Sequence, residues 1–325
     1  MRKPITLRVG LPVVMIAASL GSQVANAAGQ RSYVSVNGAD NASCAADSPC
    51  RHLQTALANT AAGGDVVVID SGEFGPVTIS RSVRILASPG ANAVIAVDKS
   101  SNNGSGRGVL IDAPGADVQL QHLSLRDSGG GIAMQVRNAN SLLVEGCEIS
   151  GFVHKGVFVT AETAVQIRNV AFRNNFVAVD SSARSLRIDD SAFVSNQTAI
   201  FTDRSVRIEG ILVTGSANGE FGIASRPPSG RTIQVDVERS TFTGTAVAFY
   251  SYTEETTGSV RLDVKHTALS GNGSAFYTEG PSSSVIATIN GLPIASTAPA
   301  ILAEIRGHVQ TETSGTKNQV FEKIR

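Results

Sequence analysis

The sequence predicts an all-β protein built as a solenoid of stacked parallel strands. First, a three-residue unit recurs eight times: an aliphatic anchor, a small or apolar residue three positions later, and an aliphatic or Phe five later. The anchors stand 24, 23, 21, 20, 29, 27 and 25 residues apart. Second, each interval holds several short apolar stretches, many β-branched, separated by polar turns and without sustained helical periodicity. Third, one such rung cannot bury its own apolar residues, whereas stacked rungs can. A chain of 325 residues that is 42% hydrophobic supplies enough material for one such core, and a single domain is expected.

Taken in order, the N-terminus comes first. Arg2, Lys3 and Arg8, the apolar run Val9 to Leu20 and the small-residue site Ala25-Asn26-Ala27 have the layout of a secretory signal peptide over residues 1–27. Its apolar core is too short to span a bilayer, and no later segment approaches that length. The protein is therefore expected to be secreted or periplasmic, with no integral membrane segment in the mature chain. Removing residues 1–27 leaves 24 Lys and Arg against 27 Asp and Glu, a net charge of −3. That balance excludes nucleic acid as the main partner, since neutralising phosphates needs a basic surface.

Residues 28–63 form a separate N-terminal portion. Cys44 and Cys50 lie six apart in a polar loop of an exported chain, where a disulfide is the expected state and two free thiols the alternative. A zinc site is disfavoured, because no second pair of Cys or His stands at finger-like spacing, and no metal ligand is assigned. Cys147 occupies an apolar slot of the repeat and reads as a small buried residue.

The solenoid is expected over residues 64–305. Val77 to Ile79, Val83 to Leu86, Val94 to Val97 and Val109 to Ile111 read as early, less regular rungs. The regular units follow as Leu120/Leu123/Leu125, Val144/Cys147/Ile149, Ile167/Val170/Phe172 and Ile188/Ser191/Phe193. They continue as Ile208/Ile211/Val213, Val237/Ser240/Phe242, Val264/Thr267/Leu269 and Ile289/Leu292/Ile294. With parallel strands about 4.8 Å apart, the anchors span roughly 34 Å. Two residues after each anchor stand His122, Gly146, Asn169, Asp190, Gly210, Arg239, His266 and Gly291. Gly, Asn and Asp tolerate a left-handed backbone, so a tight bend is expected in this column. Residues 306–325 lose the pattern and form a polar tail.

These units resemble the right-handed parallel β-helix of the pectin-lyase-like superfamily, and specifically exported bacterial β-helix repeat proteins. The opening Tyr33 to Gly38, then Ser48 to Leu57, then Gly64 to Val68 is similar to the start of many such proteins, where a short amphipathic helix caps the first rung. Ser48 suits the N-cap, Pro49 the first helical position, and Leu53 and Leu57 share one face. A leucine-rich repeat is disfavoured by the scarcity of Leu at the anchors.

Function on such a scaffold sits on outward side chains and turns, since the interior is packed. Stacking places Glu145, Arg168 and Asp189 on successive rungs, flanked by Arg187, Arg207 and Glu209. This is the densest charged patch, read either as a face that grips a hydroxyl-rich or anionic polymer or as a ladder of mutually relieved charges. Arg168, Arg187 and Asp189 are the candidate catalytic groups. Glu145, Arg168, Asp189, Arg207, Glu209, His154 and Lys155 are the candidate substrate contacts. The paired Asp189-Asp190 lacks the further Asp, Gly-His pair and basic residue that the polygalacturonase resemblance requires. A calcium site of the pectate-lyase kind would need about six oxygen ligands, and the interleaved arginines oppose one, so no cofactor is assigned. Tyr250 and Tyr252 either form a small sugar platform or, in the case of Tyr250, pack inward. The resemblance thus implies an exported protein that contacts a polysaccharide or another cell-surface component. The alternatives are a polysaccharide lyase or epimerase and a structural or adhesive surface solenoid.

Overall fold

The computed structural model describes residues 29–215, 221–252, 258–279, 284–289 and 292–297. The expected signal segment 1–27 and the tail 306–325 lie outside them. Three sheets run along one axis: a first sheet of 12 strands and two more of nine strands each. A representative rung places Ala164–Arg168 in the first sheet, Ala171–Arg173 in the second and Val177–Ser181 in the third. Ser185–Asp189 then opens the next rung, parallel to Ala164–Arg168.

The anchors fall in one column of the first sheet: Leu120, Val144, Ile167, Ile188, Ile208, Val237, Val264 and Ile289 are successive partners. The position five residues on makes a second column, in which Leu125, Ile149, Phe172, Phe193, Val213, Phe242 and Leu269 are all buried. Phe172 and Phe193 stack there with ring centroids 4.8 Å apart. Each such side chain contributes about 1.5–3 kcal/mol by leaving water.

All seven described members of the bend column have positive φ, from +48° at Asp190 and Arg239 to +68° at Gly210. His122, Arg239 and His266 adopt this left-handed conformation as well, each at a cost of about 1–2 kcal/mol that the stack on either side must sustain. The next residue explains why Cys, Ser and Thr alternate with Val and Ile. Ser191 Oγ donates to the Asp189 carbonyl at 2.8 Å and accepts the Val170 N–H of the preceding rung at 3.1 Å. Ser240 repeats the arrangement, and Cys147 places its sulfur in the same slot. Cys147 is buried, and burial pushes its thiol up to about 12, as expected for a packing residue rather than a nucleophile.

The corner leading into the third sheet is built from small residues only. Gly108, Ala133, Gly156, Ala178, Ala199, Gly222, Ala248 and Ala275 occupy one position on successive rungs, next to the paired core residues Met134 and Val157 or Ile223 and Phe249. A Cβ at Gly156 would stand 2.5 Å from the Ala178 carbonyl oxygen of the next rung.

Two expectations need correction. The last unit, Ile289/Leu292/Ile294, is not a turn of the solenoid. Ser284–Ile289 pairs in parallel with Ser259–Lys265, but Leu292–Thr297 folds back antiparallel on it, with Ile289 opposite Leu292. Asn290-Gly291 between them is the dipeptide that favours a two-residue hairpin. At the other end, the helix starts at Leu53 rather than at Pro49 and runs to Ala58. Cys50 is held in an extended bridge to Val34 and bonded through its sulfur to Cys44, with Cα atoms 4.8 Å apart, so the chain cannot turn helical there. The freed N-terminal donors go to Asp40, which accepts from the Arg51 and His52 N–H groups at 2.9 and 3.0 Å. Leu53 and Leu57 do share one buried face.

Candidate functional site

The outer face of the first sheet carries the charges singled out from the sequence. Glu145, Arg168, Asp189 and Glu209 are register partners in one outward column, and Gln166, Arg187 and Arg207 in the adjoining one. They form a connected ladder. Arg168 pairs with Glu145 at 2.8 Å; Arg187 pairs with Asp189 at 2.7 Å and with Glu209 at 3.1 Å; Arg239 also pairs with Glu209. Arg207 is exposed and has no carboxylate partner among the described residues. The hydrogen bond from Asp189, ahead of the opposing effect of burial, raises the Arg187 pKa above its ordinary value. A guanidinium so held is poorly suited to abstract a proton. Shallow depressions of about 450 and 290 Å³ run along this face, lined by Asp65, Arg84 and Asp117 in one and by Gln166, Ser185 and Arg187 in the other, and meeting at Gln119.

His154 and Lys155 do not join this cluster. They enter the third sheet, where Lys155 Nζ lies 2.5 Å from Asp180 and 3.5 Å from the centre of the Phe158 ring. His154 is exposed at the turn beside Gly131. Among the described residues no three His, Cys, Asp or Glu are arranged to hold a metal ion. No helix among them is long and apolar enough to cross a membrane.

The outer face of the third sheet is different in kind. Strand alternation sends one core residue inward and its neighbour outward, and the outward column reads Leu110, Gln135, Phe158, Asp180, Phe201, Ala224, Tyr250 and Tyr277. Tyr250 is the hub. Its ring stacks with Phe221 at 4.6 Å, with Tyr277 at 5.9 Å and 6° between planes, and with Tyr252 at 6.4 Å and 7°. Arg226 lies 5.6 Å from the centre of the Phe201 ring. All these rings are half-buried, with one face against the sheet. Three of the chain's four tyrosines thus stand together on one surface.

Of this surface the sequence suggested only Tyr250 and Tyr252. Phe158, Phe201, Phe221 and Tyr277 were legible only as members of apolar runs. The signal was present nonetheless: once the rungs are aligned, these residues share one outward register, between positions that face the core.

The sequence model of the family described as right handed beta helix region matches residues 67–225, just under half of the chain. No curated protein and no solved structure matches it. The matched span covers the rungs in which the anchor, bend and aromatic columns are all established, and the protein is a right-handed parallel β-helix protein.

Proposed function

We propose that this is an exported protein that binds polysaccharide along the outer face of its third sheet. The observation that carries the reading is the stack of Phe221, Tyr250, Tyr252 and Tyr277. A flat aromatic face takes the apolar C–H face of a sugar ring, and tyrosine adds a hydroxyl at its edge. From Phe158 to Tyr277 the column spans five rung steps, about 24 Å at the parallel-strand spacing, which suits an extended polymer rather than a monosaccharide. The predicted signal peptide and the Cys44–Cys50 disulfide support an oxidising, extracytoplasmic location.

The first-sheet ladder supports a second, weaker reading, because its two depressions offer Gln119, Gln166 and Ser185 to hydroxyl groups. Its charges, however, already satisfy one another. The lyase or epimerase reading finds least support, since Arg187 is held charged between two carboxylates. The Leu53–Ala58 helix, buried on one face and packed against the first strands of the first and third sheets, supports a role as the cap over the open first rung.

Affinity electrophoresis through gels containing neutral or acidic polysaccharides tests the proposal. Tyr250→Ala removes the hub of the stack and is expected to weaken binding five- to tenfold, about 1 kcal/mol. Retardation that is unchanged in Tyr250→Ala and Tyr277→Ala, with both variants folded, refutes a platform on this face.

A further inference from the structure

We infer that the third-sheet face carries, at the end away from the tyrosines, a subsite for an anionic group, formed by Arg107, Arg137 and Gln135. The inference rests on the polysaccharide reading above and specifies its ligand: a glycan bearing carboxylate or sulfate groups.

Arg107 opens the strand Arg107–Asp112, and Arg137 lies near the end of the neighbouring strand Ile132–Asn138. Val136 pairs with Ile111 and Asn138 with Asp112, so Arg137 is the extra residue of a β-bulge. Bulges of this kind re-aim a side chain, and they cluster next to functional sites. Arg137 is exposed and has neither a carboxylate nor a hydrogen-bond partner among the described residues. The nearby Asp112 is engaged instead by Asn138 at 3.0 Å.

Arg107 has one partner, the Ser105 carbonyl at 3.0 Å, and its Nε is buried without one. Gln135, between the two arginines on the outward column, is only 7% exposed and its Oε1 is buried without a partner. Unpaired buried polar atoms are rare in folded proteins because each one costs about 1–3 kcal/mol. Here two belong to one small area beside two unneutralised guanidinium groups. Burial, and then the charge of Arg137, lowers the Arg107 pKa below its ordinary value. Two like charges left together without a counter-charge are relieved by an anion from outside, and guanidinium groups bind carboxylate and sulfate through paired N–H donors.

The next rungs along this face carry Phe158, with Lys155 already committed to Asp180. A single chain laid along the sheet would therefore meet the arginine pair first and the tyrosine stack five steps later, about 24 Å away.

The test compares a polyuronate with the same polymer after reduction of its carboxyl groups, in affinity electrophoresis. A parallel arm reads thermal stability in sodium sulfate against sodium chloride at equal ionic strength. Wild type is expected to hold the acidic polymer about tenfold more tightly than the reduced one. Arg137→Gln should abolish that preference while leaving affinity for the reduced polymer unchanged. Equal affinity of wild type for the two polymers overturns the inference and leaves the aromatic platform standing. A preference that persists in the folded Arg107→Gln/Arg137→Gln double variant overturns it too. If neither polymer is bound, the polysaccharide reading fails and the salt arm decides: stabilisation by sulfate that is lost in Arg137→Gln supports the anion subsite, and its absence in wild type overturns it.

Discussion

The small-residue corner makes the sharpest mechanical prediction. Gly156 is buried, and the substitution Gly156→Ala adds one methyl group to it. That carbon would stand 2.5 Å from the Ala178 carbonyl oxygen and 3.2 Å from Ile149 Cγ2. The first obstacle is backbone, held in place by the hydrogen bonds between rungs, so it cannot rotate aside as a side chain would. Relief requires the strand Val177–Ser181 to move away from Lys155–Val159 by several tenths of an ångström. Overpacking of this kind costs on the order of 1–3 kcal/mol. For a chain of this size, about 2 kcal/mol lowers the melting temperature by roughly 4–8 °C. Gly230→Ala is the comparison: its added carbon meets nothing within 4 Å, and only the left-handed φ of +69° opposes it, at about 1 kcal/mol. Urea unfolding followed by far-ultraviolet circular dichroism gives both costs. With no Trp in the chain and three of its four tyrosines on the third sheet, tyrosine emission reports on that face separately. A Gly156→Ala protein within about 0.5 kcal/mol of wild type, the ordinary range of a neutral substitution, would refute the close-approach argument.

Two further outcomes follow from the charges. Burial alone would raise the Asp40 pKa, but hydrogen bonds from the His52 ring and from the His52 and Arg51 N–H groups outweigh it and hold the group at about 2. Its folded value is depressed, so its stabilising contribution is complete above pH 4 and is lost as pH falls toward 2, where the folded carboxyl finally takes a proton. Asp40→Asn should therefore flatten the loss of urea resistance between pH 4 and pH 2; a slope equal to that of wild type would remove Asp40 from the account. In the ladder, Arg187→Ala strips the counter-charge from Asp189, whose side chain is 10% exposed, whereas Arg168→Ala releases a Glu145 that is 25% exposed. The first should cost about 1–2 kcal/mol after allowance for solvent around Arg187, and the second under about 0.5 kcal/mol. Equal costs in chemical denaturation would show that the ladder is not graded by burial.

Most of the fold was legible because a solenoid repeats its register. A column that is aliphatic in Leu120, Val144, Ile167 and Ile188 announces the interior whatever the loops do, and the strand pairings follow it without a slip from Leu120 to Ile289. The bend column was legible for the same reason, although at His122, Arg239 and His266 residue type alone would have argued against a left-handed backbone. The ends of the stack were harder to read, because no neighbouring rung constrains them. Leu292 and Ile294 keep the apolar spacing while the chain reverses direction, and Ser48-Pro49 carries a helix-start signature that the Cys44–Cys50 link overrides. The site was only half legible. Apolar runs such as Phe221 to Ile223 and Val247 to Phe249 mix inward and outward residues, and only pairing partners separate Phe249 in the core from Tyr250 on the surface.

The same stacking explains why the charged face and the binding face need not coincide. In a parallel solenoid each outward column brings like positions of successive rungs within about 4.8 Å, so a column of one sign would repel itself along its whole length. The first sheet avoids this by alternation, with Glu145, Arg168 and Asp189 in turn, and by cross-column pairs from Arg187 and Arg239 to Glu209. Such a face is electrically quiet and has little left to offer a charged ligand. The third sheet relieves the problem differently, by filling its outward column mainly with rings, which gain from being stacked at rung spacing. Where cations do remain there, at Arg107 and Arg137, no carboxylate answers them. Stability therefore selects the alternating ladder, and the surface freed from that requirement is the one on which a ligand finds unpaired charge and open aromatic faces.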